Sequence, residues 1–325
     1  ITISKKYKKK FKSSIKFISP ASERWDKFGR RIKYFLALLI LIKEIIKDRD
    51  ITVLSFQANI YCIIICKIFS IRVISRSNSA PIGWSNNFIK KIIFKYFLKK
   101  ADKTIVNSKD FKKDLKNKFN VNSTCIYNPL NIVEIRKNSK INNKKFFKYK
   151  DRLKILNIGR FTEQKDQITL LKSLNILKNK INFEAIIVGK GIRKQNLLDF
   201  IKGNNLEKFV KIIDFMKNPY PIIKETDLFI LSSRYEGLPN VLLESLALEK
   251  MVISSNCRTG PKEILLNGKG GLLFEVGDYK QLYKKILYYL KNKRKCKKLL
   301  NTAIKKLDRF DMRKNLEKYY NLIVN

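Results

Sequence analysis

Short, almost purely apolar runs of strand length recur along this chain, and most are separated by a segment with the period of an amphipathic helix. A strand with no polar side must be covered on both faces, and in a parallel sheet a helical crossover after each strand does this. The pattern therefore predicts an α/β fold built of doubly wound lobes. In the first half, periodicity gives a helix over 30–47, strands over 51–56, 71–75, 103–106 and 124–127, and helices over 59–69, 86–99 and 109–119. Asn128-Pro129 then stops the pattern. Residues 131–151 are polar, lysine-rich and aperiodic, and read as a linker. The alternation restarts with strands over 153–158, 183–188, 210–213, 228–232 and 252–255. Helices are expected over 166–178, 193–202 and 239–248, with a short one around Pro221, one opening at Pro261 and more from Asp278 onward. The expected organisation is thus a lobe over 1–130, a second lobe over 152–310, and a C-terminal helix over 311–325 returning to the first lobe. In such sheets ligands bind outside the carboxyl ends of the strands, so chemistry is sought at the strand-to-helix turns facing the cleft between the lobes.

Composition removes several kinds of chemistry. There is no histidine, which excludes Ser-His-Asp and Cys-His catalysis and His-ligated metals. Proton transfer falls to carboxylates, lysine or tyrosine. The five cysteines, Cys62, Cys66, Cys125, Cys257 and Cys296, are odd in number and contain no C-x-x-C, which reads as buried thiols in a reducing compartment. Asp48-Arg49-Asp50 has the D-x-D form of some metal sites, but it falls at a helix end before a strand, and no metal is expected there.

Lys plus Arg is 71 against 27 for Asp plus Glu, a formal charge of +44 that is concentrated before residue 150. Biased codon usage explains such a surplus as well as an anionic partner does. The aromatic-basic runs Tyr7 to Phe11 and Lys144 to Tyr149 suggest nucleic acid, but no recognised module accompanies them, so no specific nucleic acid is expected. The longest apolar stretches, 34–42 and 51–66, fall short of the roughly 20 residues that span a bilayer. A cytoplasmic protein resting on an anionic membrane face is the expectation.

The most informative turn is Ser233-Arg234-Tyr235-Glu236-Gly237-Leu238-Pro239-Asn240, leading into a helix that carries Glu244. Gly237 stands where backbone would approach a ligand without a Cβ, and Pro239 suits the first helical position. Two carboxylates, Glu236 before the helix and Glu244 inside it, could hold separate hydroxyl-bearing parts of one ligand; by spacing alone, two solvated residues explain them as well. Arg160 and Lys165 follow the first strand of the second lobe, where a forked and a mobile cation suit a diphosphate. Gly189 and Gly191 form a glycine turn, and Gly260-Pro261 opens a helix with free N–H groups.

These stretches together resemble the retaining glycosyltransferases of family four. The segment from Ser233 to Ser245 resembles their Glu-x7-Glu signature, Gly159-Arg160 with Lys165 their G-R-x4-K turn, Gly189 to Gly191 their glycine turn, and Gly260-Pro261-Lys262-Glu263 their G-P-x-E loop. The resemblance implies a GT-B fold, two Rossmann-like lobes with a cleft, and a nucleotide diphosphate sugar, UDP-linked, as donor substrate with no metal or other cofactor. It implies a lipid-linked or surface-polysaccharide acceptor and a hexosyl or N-acetylhexosaminyl group. Glu236, Arg160 and Lys165 would be the catalytic residues. Gly159, Gly189, Gly191, Gly237, Leu238, Pro239, Asn240, Glu244, Gly260 and Pro261 would bind the donor, with Glu244 on the ribose. Asp214 stands where the family usually has glycine, and the first strand and its phosphate turn are expected upstream of Ile1. A non-catalytic sugar-nucleotide-binding relative is the alternative reading.

Overall fold

The computed structural model describes residues 1, 16, 18–19, 29–78, 88–141 and 145–324. The run over Tyr7 to Phe11, Lys144 and the first two residues of the helix expected over 86–99 lie outside them.

In the first lobe, α1 (Arg30–Lys47), α2 (Asn59–Ile68), α3 (Phe88–Lys100) and α4 (Lys109–Phe119) accompany β1 (Thr52–Ser55), β2 (Arg72–Ser77), β3 (Lys103–Val106) and β4 (Thr124–Cys125). The strands form a parallel sheet in the order β1-β2-β3-β4. α5 (Ile132–Asn138) follows, started by Asn131, whose side chain accepts from Glu134 N at 3.1 Å.

The second lobe runs β5 (Leu153–Ile158), α6 (Gln167–Leu177), β6 (Phe183–Gly189), α7 (Lys194–Gly203), β7 (Val210–Asp214), α8 (Tyr220–Glu225), β8 (Leu228–Leu231), α9 (Asn240–Ala247), β9 (Met251–Ser255), α10 (Pro261–Ile264) and β10 (Leu272–Phe274). α11 (Tyr279–Lys291), α12 (Lys293–Lys305) and α13 (Met312–Val324) follow. Its sheet is parallel throughout, in the order β10-β9-β8-β5-β6-β7. That is the strand order of a nucleotide-binding doubly wound sheet, with β5 and β8 flanking the point where the winding reverses.

Successive strand residues feed opposite cores, which is why the strands read as unbroken apolar runs. Leu156, Ile186, Phe229 and Leu231 join one cluster with α8 and α9; Ile155, Ile187, Leu228 and Ile230 join another with α6, α7 and α11. In the first lobe Val73 and Val106 face α1, α2 and α4, whereas Ile74 and Ile105 face the other way. That second face is covered by α13, through Tyr319, Leu322 and Ile323. Arg72 clamps the end of this helix by donating to the carbonyls of Ile323 at 3.0 Å and Leu322 at 3.3 Å.

The chain crosses between lobes twice, and the crossings touch. Leu130 N donates to Phe310 O at 2.8 Å, Leu130 bridges Asp311, and the Tyr127 and Phe310 rings meet edge-on at 4.8 Å.

Three details differ from the sequence reading. β10 was not expected, being three residues directly behind Gly270 and Gly271. The aperiodic segment 131–151 contains α5, too short to show a period. Pro239, expected as the first helical residue, is instead the N-cap of α9, which begins one residue later at Asn240; its φ/ψ of −72° and 107° are extended. All five cysteines are free, with Cys66, Cys257 and Cys296 buried; burial pushes the Cys66 thiol up to about 12. Among the described residues no helix is long and apolar enough to cross a membrane.

Phe310 is fully buried where both crossings meet. Phe310→Ala is expected to lower unfolding stability by about 3–5 kcal/mol, measured as a fall in the denaturant midpoint.

Candidate active site

β8 ends at Leu231, and the chain turns through Ser232 to Pro239 at the switch point. Ser232 Oγ donates to Lys165 O at 3.0 Å, Ser255 Oγ to Ser233 O at 2.6 Å, and Gln164 Nε2 to Tyr235 O at 2.9 Å. The turn is thus fixed from β9 on one side and from the β5–α6 loop on the other. Within it Lys165 Nζ contacts Glu236 Oε1, and Ser233 Oγ donates to the same oxygen at 2.6 Å. Thr259 Oγ1 donates to the Glu236 backbone carbonyl. The two charged side chains are only 15% and 7% exposed. A pair this dry persists when its remaining polar atoms are also satisfied. Glu236 Oε2 has no partner among the described residues, and Glu236 lines a cavity.

That cavity, of about 730 Å³, lies between the lobes. Lys165, Glu236, Gly237, Leu238, Pro239 and Asn240 form its second-lobe wall, and Leu54, Phe56, Arg76, Asn78, Asn107 and Asn128 form the first-lobe wall. Leu316 and Tyr319 of α13 complete it. The structure therefore brings together six of the residues expected from sequence.

The others sit nearby without lining this cavity. Gly159 and Arg160 follow β5; Arg160 is exposed, and its Nη2 donates to Gln164 Oε1 at 3.4 Å. The turn containing Gly189 and Gly191 packs against theirs, with Gly159 N donating to Val188 O at 3.0 Å and Phe161 N to Lys190 O at 2.9 Å. Glu244 is half-buried on α9 near Tyr220 and forms no hydrogen bond or ion pair among the described residues. Burial raises its carboxyl to about 7.

Gly237 was expected to make room for a ligand. A Cβ there would lie 2.0 Å from Asn78 O, so the first lobe also closes on it. Gly260, at φ +86°, lies directly behind, where a Cβ would meet Gly237 O at 2.2 Å. Pro261 then opens α10, which is only four residues long.

Glu263 on α10 reaches across the cleft. Its Oε2 accepts from Lys109 N at 2.8 Å and Asp110 N at 3.3 Å, capping α4 of the other lobe, and its Oε1 accepts from Tyr127 Oη. Arg258 Nη2 pairs with Asp114 at 2.8 Å, and Asn128 Nδ2 donates to Asn240 Oδ1 at 2.7 Å. The sequence reading missed Arg76, Asn78 and Asn128; the only signal was their position at strand ends facing the cleft.

A two-lobed, doubly wound fold with its charged site at the switch point between β5 and β8 is of the GT-B class. The Glycosyl transferases group 1 family matches residues 138–306, just over half the chain, and the chain belongs to that family. An uncharacterized glycosyltransferase of Methanocaldococcus jannaschii is 35% identical over 72% of this chain and 62% of its own. A Campylobacter jejuni N-acetylgalactosamine-N,N'-diacetylbacillosaminyl-diphospho-undecaprenol 4-alpha-N-acetylgalactosaminyltransferase is 29% identical over 70% of this chain. The chain thus spans about three fifths of the length of these relatives, 62% and 61%. Among solved structures, a Rickettsia africae glycosyltransferase superposes with a TM-score of 0.75 at 17% identity, covering 94% of this chain and 83% of that one. Anabaena Alr3699/HepE, solved with UDP, gives 0.73 at 16% identity over 91% and 84%.

Glu263→Ala removes a helix cap and a hydroxyl partner that both lie in the opposite lobe. It is expected to increase the radius of gyration in small-angle scattering at nearly unchanged melting temperature. Because the Glu244 carboxyl titrates near 7 when folded and lower when unfolded, the native state holds the extra proton between those values, and stability falls as pH rises through that window. Glu244→Gln should flatten this part of the profile, raising the melting temperature at pH 8 relative to wild type.

Proposed function

We propose that this chain is a retaining glycosyltransferase of the family-four type, moving a sugar from a UDP-linked donor to a lipid-linked or surface-polysaccharide acceptor. The observation that carries this reading is the buried Lys165–Glu236 pair opening onto an interlobe cavity at the switch point. HepE, which shares the fold, was solved with UDP, and the C. jejuni relative is named for a diphospho-undecaprenol substrate. That relative and a second one of C. jejuni are named as N-acetylgalactosaminyltransferases, which favours an N-acetylhexosamine over a plain hexose.

In this reading the donor diphosphate lies at the ends of β5 and β6. Lys165 stabilises the charge that develops on it, Arg160 swings in from its exposed position, and the turns at Gly159, Gly189 and Gly191 form the wall. The free Glu236 Oε2 accepts from a hydroxyl of the transferred sugar, and N–H groups from Gly237 to Asn240 hold its other oxygens. Glu244 accepts from the ribose, and Gly260 and Pro261 support the turn from behind. The acceptor attacks from the face the diphosphate leaves, and the departing phosphate takes the acceptor's proton. This scheme needs neither a histidine nor a metal.

The membrane-surface assignment draws on α3, where Ile89, Ile92 and Tyr96 are exposed at 66%, 51% and 56% beside exposed Lys95, Lys99 and Lys100. Apolar and basic side chains together suit an anionic headgroup layer. A peripheral protein on the cytoplasmic face of the membrane follows from this reading.

Glu236→Gln is expected to lower kcat/KM for sugar transfer by about 100-fold or more while UDP affinity changes less than about threefold. Isothermal titration with UDP beside a turnover assay over a panel of UDP-sugars separates the two; equal losses in both would mean Glu236 serves the nucleotide rather than the sugar.

A further inference from the structure

Among the described residues that line the cavity, Arg76 is the charged one that this reading leaves without a task. It lies near the end of β2, is 7% exposed and lines the cavity. Its Nε–H donates to Tyr319 Oη, one Nη1–H to Asn78 Oδ1, and one Nη2–H to Asn128 Oδ1 at 2.7 Å. The guanidinium also stands 5.3 Å from the Phe56 ring centroid and 5.7 Å from that of Tyr319. Every one of these partners is neutral, and Arg76 forms no ion pair among the described residues. Arg72, on the same strand, is by contrast committed to the carbonyls ending α13.

An almost dry guanidinium cannot shed its proton to escape desolvation, so an uncompensated one is costly to maintain. Three of its five N–H groups are used, which leaves one on each terminal nitrogen. Two donors on one planar guanidinium are the number that two oxygens of a phosphate would use. Among the described residues the other charged side chains lining the cavity are Lys165 and Glu236, which neutralise each other. The cleft therefore presents one uncompensated positive charge, and it stands on the wall opposite the donor's turns. Beside it Leu54, Phe56 and Leu316 supply apolar surface.

We propose that Arg76 binds a phosphate or diphosphate oxyanion carried by the acceptor, holding it close to the hydroxyl that is glycosylated. Only the assignment of this ligand to the acceptor rests on the proposed function. Placing the anion inside the reaction cavity means that the charged group is separated from the reacting hydroxyl by no more than a short saccharide. The apolar neighbours favour a lipid-linked phosphate over a free one.

The test titrates geranyl diphosphate and inorganic diphosphate into the chain at about 0.2 M salt, where nonspecific attraction to a basic surface is screened. Both are measured with saturating UDP present, for wild type, Arg76→Gln and Arg76→Lys. Wild type is expected to bind geranyl diphosphate more tightly than inorganic diphosphate. Arg76→Gln should weaken both by about 10- to 100-fold, Arg76→Lys should recover part of this, and UDP affinity should stay the same in all three. Equal affinity for the two probes, still lost in Arg76→Gln, would keep the oxyanion site and overturn the lipid source. Unchanged diphosphate affinity in a folded Arg76→Gln variant overturns the proposal, as does a loss of UDP affinity of the same size. If that variant does not fold, Arg76→Lys decides, since it keeps the charge and loses the fork: weakening of about 10-fold supports the site and none overturns it. Should UDP fail to bind while Arg76-dependent diphosphate binding persists, the proposed function falls and the oxyanion site stands.

Discussion

The contact of Asn78 O with Gly237 sets how closely the two lobes approach, and the rest of the site depends on that distance. A second-lobe residue with any side chain at 237 would hold the first lobe away. The Asn128 hydrogen bonds to Leu238 O and Asn240, the Glu263 cap on α4 and the Arg258–Asp114 pair all span the same gap, and each needs its partners within hydrogen-bonding reach. The cleft is therefore bounded by a set of short polar contacts that form together or not at all, with the cavity enclosed between them.

This arrangement gives the Lys165–Glu236 pair its surroundings. Both side chains arise from turns of the second lobe and are only 15% and 7% exposed. In a wetter setting the pair would contribute little; in a dry one it is a strongly oriented dipole on the cavity wall. On the opposite wall the charges are arranged differently, with Arg76 surrounded by neutral oxygens and ring faces.

Much of the second lobe was legible in the sequence because its strands are buried on both faces. β5, flanked by Arg152 and Gly159, and β3 of the first lobe, flanked by Asp102 and Asn107, are bounded by charged, polar or glycine residues, so their limits matched the reading. β10 and α5 were not legible, since three and seven residues carry no period, and both exist through contacts with distant elements. The site divides in the same way. Glu236 and Lys165 stood out because their turns are rich in glycine and charge, whereas their contact, 71 residues apart, is a product of strand order. Gly237 was read as a place of close backbone approach, and Asn78 O of the first lobe makes one such approach. Arg76, Asn78 and Asn128 were missed because a single polar residue at a strand end leaves no pattern.

The position of α13 has a consequence for biosynthesis. One side of the first sheet, including Ile74 and Ile105, is roofed by the last described helix. During vectorial translation that surface lacks this cover until α13 has emerged, although the strands beneath it were made long before. The nascent amino-terminal half is thus the stretch most in need of a holdase, and its consolidation awaits the arrival of Tyr319.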